Sequence, residues 1–348
     1  MTGTTGERGA APNGAKLNGA APTRAALLEV KDLVQEFELP SSWLERCLGK
    51  ERRIVHAVNG VSFAIEPGEV FSLVGESGCG KSTTARTVVR LLSPKSGGIF
   101  FEGREIGCLN ARELRPIRRK MQMVFQNPYA SLDPRQKVSD ILMEPILFHG
   151  IAHGREEARE RVMRLMDTIG LNRDQADRYP HQFSGGQRQR IGIARALATD
   201  PKLIVADEPV SALDVSVQAQ ILNLMLDLRR EFGLSYLFIA HNLSVVQRVT
   251  DRLGIMYLGF IVEQGGCDEV FDRPLHPYTQ ALLDAAPSLD KRGIQAPLSG
   301  DVPSPMNLPP GCVFASRCPK RQGKLCGEER PSLRRNGSRQ VACHFAEF

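Results

Sequence analysis

The chain predicts an α/β fold built on a mainly parallel sheet. Two observations carry that expectation. Short apolar runs recur along the sequence and alternate with stretches of helical spacing, the pattern of strand–helix–strand units. One of those runs also stops at a glycine-rich loop that leads straight into a helical stretch.

Taken in order, LLEVKDLVQEF (27–37) and VHAVNGVSFAI (55–65) set β-branched and aromatic residues at period two and read as strands. EVFSLVG (69–75) is a short apolar run, and KSTTARTVVRLL (81–92) after it has helical spacing. GGIFFEG (97–103), a polar helix-like segment and MQMVFQ (121–126) repeat the alternation. Residues 135–182 are mostly helical with interspersed charges, an inserted helical block. LIVAD (203–207) and LSYLFIA (234–240) read as buried strands on either side of the helix VSVQAQILNLMLDLRREF (215–232). No internal repeat is visible.

The ends differ from the middle. Residues 1–26 are mostly Gly, Ala, Thr, Pro and Asn, with too little apolar surface to offset their ordering entropy, and are expected to be a disordered tail. After residue 285, Pro287, Pro297, Pro303, Pro305, Pro309, Pro310, Pro319 and Pro331 dominate. A loop-rich stretch of this length must be held by something other than a core of its own. The expected organisation is therefore a tail (1–26), a main domain (27–285) whose helical subdomain spans about 135–190, and a C-terminal extension (286–348).

Composition narrows the class. A hydrophobic content of 42% and a charged content of 24% are ordinary for a globular protein. The longest uncharged apolar stretch, LGIMYLGFIV (253–262), is half of the ~20 residues a membrane span needs. The N-terminus lacks the apolar centre of a signal peptide. A cytosolic chain that reaches membranes only through partners is expected, with its cysteines reduced. The net charge of +6 sits at the two ends and leaves the middle near neutral, which does not point to nucleic acid.

The chemistry begins at Gly75, Glu76, Ser77, Gly78, Cys79, Gly80, Lys81 and Ser82, which fit G-x-x-x-x-G-K-[ST] in full, with Thr83 next on the helix. Glycines let backbone N–H groups turn inward around phosphate oxygens, and the helix N-terminus adds about half a positive charge. Lys81 should reach the β- and γ-phosphates of a nucleotide, and the Ser82 hydroxyl should ligate Mg²⁺. Asp207 falls at the carboxyl end of LIVAD, where ligands of open α/β sheets bind, and can hold Mg²⁺ through water. Glu208, one residue on, points elsewhere and is placed to polarise an attacking water. FSGGQRQR (183–190) puts Ser184, Gly185, Gly186 and Gln187 at a second helix start, a second phosphate-binding terminus that two subunits facing head to tail would use.

These motifs together resemble an ABC-transporter ATPase over roughly residues 27–285. The loop Gly75–Ser82, Gln126 closing the strand in MVFQNP, the signature Ser184–Gln187 (preceded by Phe183 in place of the usual Leu), Asp207 with Glu208, the turn Ser211–Asp214 and His241 closing LFIAH fall in the family's order. The resemblance implies ATP as substrate and a P-loop NTPase fold. It implies Mg²⁺ held by Ser82, Gln126 and Asp207, Glu208 as general base, and His241 on the γ-phosphate. Ser184 and Gly186 would bind the partner's ATP, and the Gln126 loop would touch membrane subunits. It also implies an aromatic under the adenine near the end of the first strand. Phe37 holds that place, with Trp43 and His56 as rivals because an insertion follows.

DRPLHPYTQALLDAAP (272–287) and SGDVPSPMNLPPGCVF (299–314) are similar to the end of the oligopeptide, dipeptide and nickel importer ATPases. That likeness implies a peripheral subunit on the cytoplasmic face of the membrane. Its partners would be a second ATPase subunit, usually a paralogue, two permeases and an extracytoplasmic binding protein. Two other readings stay open: an exporter ATPase, which usually lacks the HPYT segment and the cysteine tail, and a non-transport ATPase working on nucleic acid or ribosomes.

Cys312, Cys318, Cys326 and Cys343 crowd half of the eight cysteines into the end of the chain. They read as packed thiols, as a zinc site, or as ligands of a four-iron cluster. Zinc favours close pairs such as C-x₂₋₄-C, which are absent here, whereas cluster spacings vary widely. Members of the resembled group are thought to carry a [4Fe–4S] cluster on a similar pattern, which favours that reading over Zn²⁺. Arg317, Lys320, Arg321 and Lys324 would then offset thiolate charge.

Overall fold

The computed structural model describes residues 25–39, 53–285 and 300–348. The expected tail, apart from its last two residues, lies outside the described residues, as do Trp43 and most of the insertion around it.

Two sheets carry the fold. The first is antiparallel, ordered β2–β1–β4–β5, from β1 (Leu28–Glu38), β2 (Ile54–Ile65), β4 (Ser96–Phe101) and β5 (Arg104–Glu105). The second has five parallel strands at its heart, in the order β9 (Arg252–Tyr257), β3 (Val70–Val74), β8 (Ser235–Ala240), β7 (Leu203–Asp207) and β6 (Met121–Val124). The division follows from burial. β3, β7 and β8 are buried at every position, whereas β1 alternates between buried and partly open residues. Parallel strands need cover on both faces, and an antiparallel sheet can leave one open.

Period two then sorts the central strands into two cores. Val70, Val74, Ile204, Ala206, Tyr236 and Phe238 face one hydrophobic cluster; Phe71, Leu73, Leu203, Val205, Leu237 and Ile239 face the other. The second cluster is shared with the antiparallel sheet, α1 (Lys81–Val88) and α2 (Ala111–Lys120). The first extends into α3 (Val138–Phe148), α4 (Arg155–Thr168), α5 (Gly185–Leu197) and α6 (Val215–Phe232).

Helix α1 is shorter than its sequence pattern. Arg90 adopts φ 57°, a left-handed conformation that ends a helix, and its guanidinium bonds the carbonyls of Ile106 and Leu109. In the block expected to be mostly helical, α3 and α4 give way to short 3₁₀ turns at Arg173–Asp177 and Pro180–Gln182. The apolar stretch 253–262 falls in the hairpin of β9 and β10 (Phe260–Gly266), which α7 (Leu243–Val249) precedes and α8 (Cys267–Asp272) and α9 (Pro277–Asp284) follow.

The described part of the C-terminal segment answers the question of what holds it. β12 (Arg339–Val341) pairs with β10, and β11 (Arg334–Asn336) pairs with β12, so the segment extends the central sheet. Val313 and Phe314 enter the first core. Glu263 of β10 is fully buried; its carboxylate accepts the N–H groups of Leu275 and His276 and pairs with Arg339 at 2.6 Å.

Candidate functional site: a phosphate loop at the carboxyl ends of the central strands

The loop Gly75–Gly80 leaves the carboxyl end of β3 and opens into α1. Gly80 caps that helix at φ 104°, and a Cβ there would meet the Ala57 carbonyl at 2.2 Å, so only glycine fits. Lys81 is buried, with its ammonium 2.8 Å and 2.9 Å from the carbonyl oxygens of Gly75 and Glu76. Cys79 is buried beneath the loop, and burial pushes its thiol up.

Two neighbouring acids leave the end of β7 in different directions. Asp207 is buried and accepts a hydrogen bond from the Ser82 hydroxyl at 2.7 Å. Its other oxygen, Oδ2, is buried with no hydrogen-bond partner, and the Arg86 guanidinium stands 3.9 Å from it. Burial raises the Asp207 carboxyl above the usual aspartate range. An orphaned carboxylate oxygen beside a serine hydroxyl is the donor set a hard divalent cation takes. Glu208 sits at φ 45°, a conformation that costs a non-glycine residue energy and is tolerated mainly at functional sites. The turn swings its side chain away from Asp207. Gln126 Nε2 donates to Glu208 Oε2 at 2.7 Å, and His241 Nδ1 lies 3.5 Å from the same oxygen. β6, β7 and β8 are neighbours in the sheet, so Gln126, Glu208 and His241 meet although 115 residues separate the first from the last.

The signature segment opens helix α5. Ser184 caps α5, its hydroxyl accepting the Gln187 N–H while the Gln187 side chain accepts the Ser184 N–H. Gln187 is thus half of a capping box. A Cβ on Gly186 would meet Val217 Cγ1 at 2.4 Å, so the glycine seats α5 against α6. Gly185 lies against Leu213. Phe37 pairs with Val55 at the exposed end of β1, and the rival His56 is engaged with Glu36 at 3.0 Å.

All four tail cysteines line one cavity of about 690 Å³, together with His276, Lys320, Arg321 and His344. Among the described residues, no three His, Cys, Asp or Glu side chains are gathered closely enough to hold a metal ion. Burial pushes the Cys312 thiol up to about 11 and raises Cys318. Arg317, which lies between two of these cysteines in the sequence, reaches the phosphate loop. It forms a two-pronged ion pair with Glu76 of the phosphate loop, at 2.7 Å and 3.0 Å. Sequence reasoning missed this pair, and Tyr278, whose hydroxyl accepts the Glu76 N–H at 2.9 Å.

Comparison with known proteins gives the family. The pattern described as ABC transporter matches residues 58–211, and that of the oligopeptide/dipeptide transporter C-terminal region matches 262–326. The chain is 49% identical over 331 residues to the oligopeptide transport ATP-binding protein AppF of Bacillus subtilis, covering 93% of this chain and 99% of that one. This chain belongs to the oligopeptide/dipeptide family of ABC-transporter ATP-binding proteins. Another relative in the family, the dipeptide transport ATP-binding protein DppF of Escherichia coli, is 48% identical, covering 92% of this chain and 96% of its own. The P-loop fold of an ABC ATPase is shared with solved cassettes. The dimeric cassette MJ0796 bound to ADP and phosphate superposes with a TM-score of 0.61 at 29% identity, covering 69% of this chain and 98% of that chain. CbiO1 from Clostridium perfringens, part of the transporter complex cbiONQ, gives 0.60 at 26% identity, covering 71% of this chain and 91% of its own. The chain is therefore an ABC-type ATPase. Among its described residues no helix is long and apolar enough to cross a membrane.

Proposed function

We propose that this protein is the ATP-hydrolysing subunit of a peptide importer. It would work at the cytoplasmic face of the membrane with a paralogous ATPase subunit, two permeases and an extracytoplasmic binding protein. The observation that carries the ATPase reading is the meeting of Gln126, Glu208 and His241 on one oxygen, beside the Ser82–Asp207 pair. Import of peptide is supported by likeness along nearly the whole chain to subunits named for oligopeptide and dipeptide transport. Residues 27–285 would form the nucleotide-binding domain, its helical subdomain about 135–190, and 286–348 the extension.

Each residue has a role in this reading. Lys81 exchanges the two carbonyls it now holds for phosphate oxygens. Backbone N–H groups from Gly75 to Thr83 cradle the triphosphate. Ser82, Asp207 and Gln126 would hold Mg²⁺, which would supply charge neutralisation for the bound triphosphate. Glu208 takes the proton of the attacking water, and His241 holds its carboxylate in aim. Ser184 and Gly186 face the γ-phosphate of the partner's ATP, and Phe37 lies under the adenine.

The four tail cysteines are read as ligands of a [4Fe–4S] cluster, with Zn²⁺ as the alternative. Support comes from their lining one cavity, which has room for a group wider than a single ion. Bound there, the cluster supplies a structural tie between Cys312, Cys318, Cys326 and Cys343.

Co-purification tests the assembly. The tagged chain should bring down two permease chains and a second ATPase. Stable nucleic acid or ribosomes in their place would overturn the transport reading.

A further inference from the structure

Arg317 lies between Cys312 and Cys318, yet its guanidinium reaches 241 residues back along the sequence to the phosphate loop. The pair with Glu76 is bidentate, Nη1 to Oε2 at 2.7 Å and Nη2 to Oε1 at 3.0 Å. The arginine side chain is only 4% exposed, and the Tyr257 hydroxyl stands 3.4 Å from Nη1. Glu76 is engaged at its other polar groups as well. Its N–H donates to the Tyr278 hydroxyl, and its carbonyl accepts from Lys81. Tyr257, Tyr278 and Phe314 pack against one another directly beneath.

A carboxylate in a phosphate-binding loop is an electrostatic liability. The ligand carries several negative charges, and like charges at short range in a partly buried site repel by several kcal/mol. A two-pronged guanidinium removes the liability and also fixes the direction of the side chain.

We propose that Arg317 is a positioning residue for the phosphate loop. It neutralises and orients Glu76, and so makes ATP affinity depend on the docking of the C-terminal segment. The inference rests on the ATP-site reading, and on neither peptide transport nor a metal in the tail.

The test is equilibrium binding of a fluorescent ATP analogue to the full chain, with KM and kcat for ATP measured beside it. Arg317→Met should weaken binding and raise KM about tenfold, equivalent to ~1.4 kcal/mol, with kcat changed less than about twofold. Arg317→Lys keeps the charge but not the fork and should lose about threefold. The double variant Glu76→Gln/Arg317→Met has no lone charge left and should bind about fivefold more tightly than Arg317→Met alone. A folded Arg317→Met that binds ATP as its parent does would overturn the proposal. So would a double variant as weak as the single, since that is the behaviour of a plain structural strut. If Arg317→Met does not fold, the comparison is with the parent: the lysine variant should bind about threefold and the double variant about twofold more weakly, and a lysine variant that binds as its parent does would overturn the proposal. A parent that binds no ATP would overturn the site reading and the clamp together.

Discussion

Phe314→Ala is the perturbation that most directly probes how the C-terminal segment is held. Phe314 is completely buried, with ring centroids 5.3 Å from both Tyr257 and Tyr278 and 5.9 Å from His276. Truncating a buried phenylalanine to alanine costs about 3–5 kcal/mol through lost transfer energy and the cavity left behind. Three aromatic neighbours, each worth about 0.5–1.5 kcal/mol beyond area, keep this site away from the low end of that range, at about 4 kcal/mol. A loss of that size is a large share of the ~5–15 kcal/mol that keeps an ordinary domain folded. Urea unfolding followed by fluorescence should show the midpoint falling with an unchanged slope. Limited proteolysis should cut the variant within residues 300–348 earlier than the parent. Phe314→Leu, which keeps most of the volume, should cost less than about 1.5 kcal/mol. If Phe314→Ala lost under ~1 kcal/mol, or proteolysis left the segment untouched, the segment would not be held by packing.

Three further outcomes are expected. His276 is fully buried, its Nδ1 accepts the Tyr278 N–H at the start of α9, and burial lowers it from 6.5 to about 3. The unfolded chain therefore takes up this proton first. The contribution is complete above pH 6.5 and is lost as pH falls towards 3, at about 1.4 kcal/mol per pH unit. His276→Asn keeps a capping acceptor and should flatten the acid limb of a stability–pH curve in that window. Gly186→Ala should cost about 1–3 kcal/mol by overpacking against Val217, read by thermal melting and largely relieved in Gly186→Ala/Val217→Ala. Cys318→Ser should abolish the visible band near ~400 nm and the iron content of anaerobically purified protein; stoichiometric zinc in a colourless parent would contradict the cluster reading.

What the sequence made legible follows from the range of the interaction involved. VFSLV, LIVAD and LSYLFIA declare themselves as central strands because nearly every residue in them is apolar and alternate ones face two cores. The loop Gly75–Ser82 is local, so its motif carries its structure with it. Glu208 was readable from its place after Asp207, but Gln126 and His241 only as family positions, because the sheet order that joins the three is not a local property. The antiparallel pairing of β1 with β2, the early end of α1 at Arg90 and the capping role of Gln187 depend on neighbours that periodicity does not record. The Arg317–Glu76 pair is the extreme case. Beside Cys318 the arginine looks like a counter-charge for thiolates, and only the packing of Phe314 against Tyr257 and Tyr278 turns it towards the phosphate loop.

The central claim is that ATP hydrolysis at Glu208 drives peptide across a membrane. Its most direct test is uptake of a labelled peptide into proteoliposomes that hold the complete transporter, with ATP supplied on the side of this subunit and the binding protein on the other. Uptake should require ATP, and Glu208→Gln should reduce hydrolysis by about 10²–10⁴-fold, the usual effect of losing a general base, with transport falling in step. Transport that persists in the Glu208→Gln complex, or ATP hydrolysis with no peptide accumulated by the parent, would contradict the account.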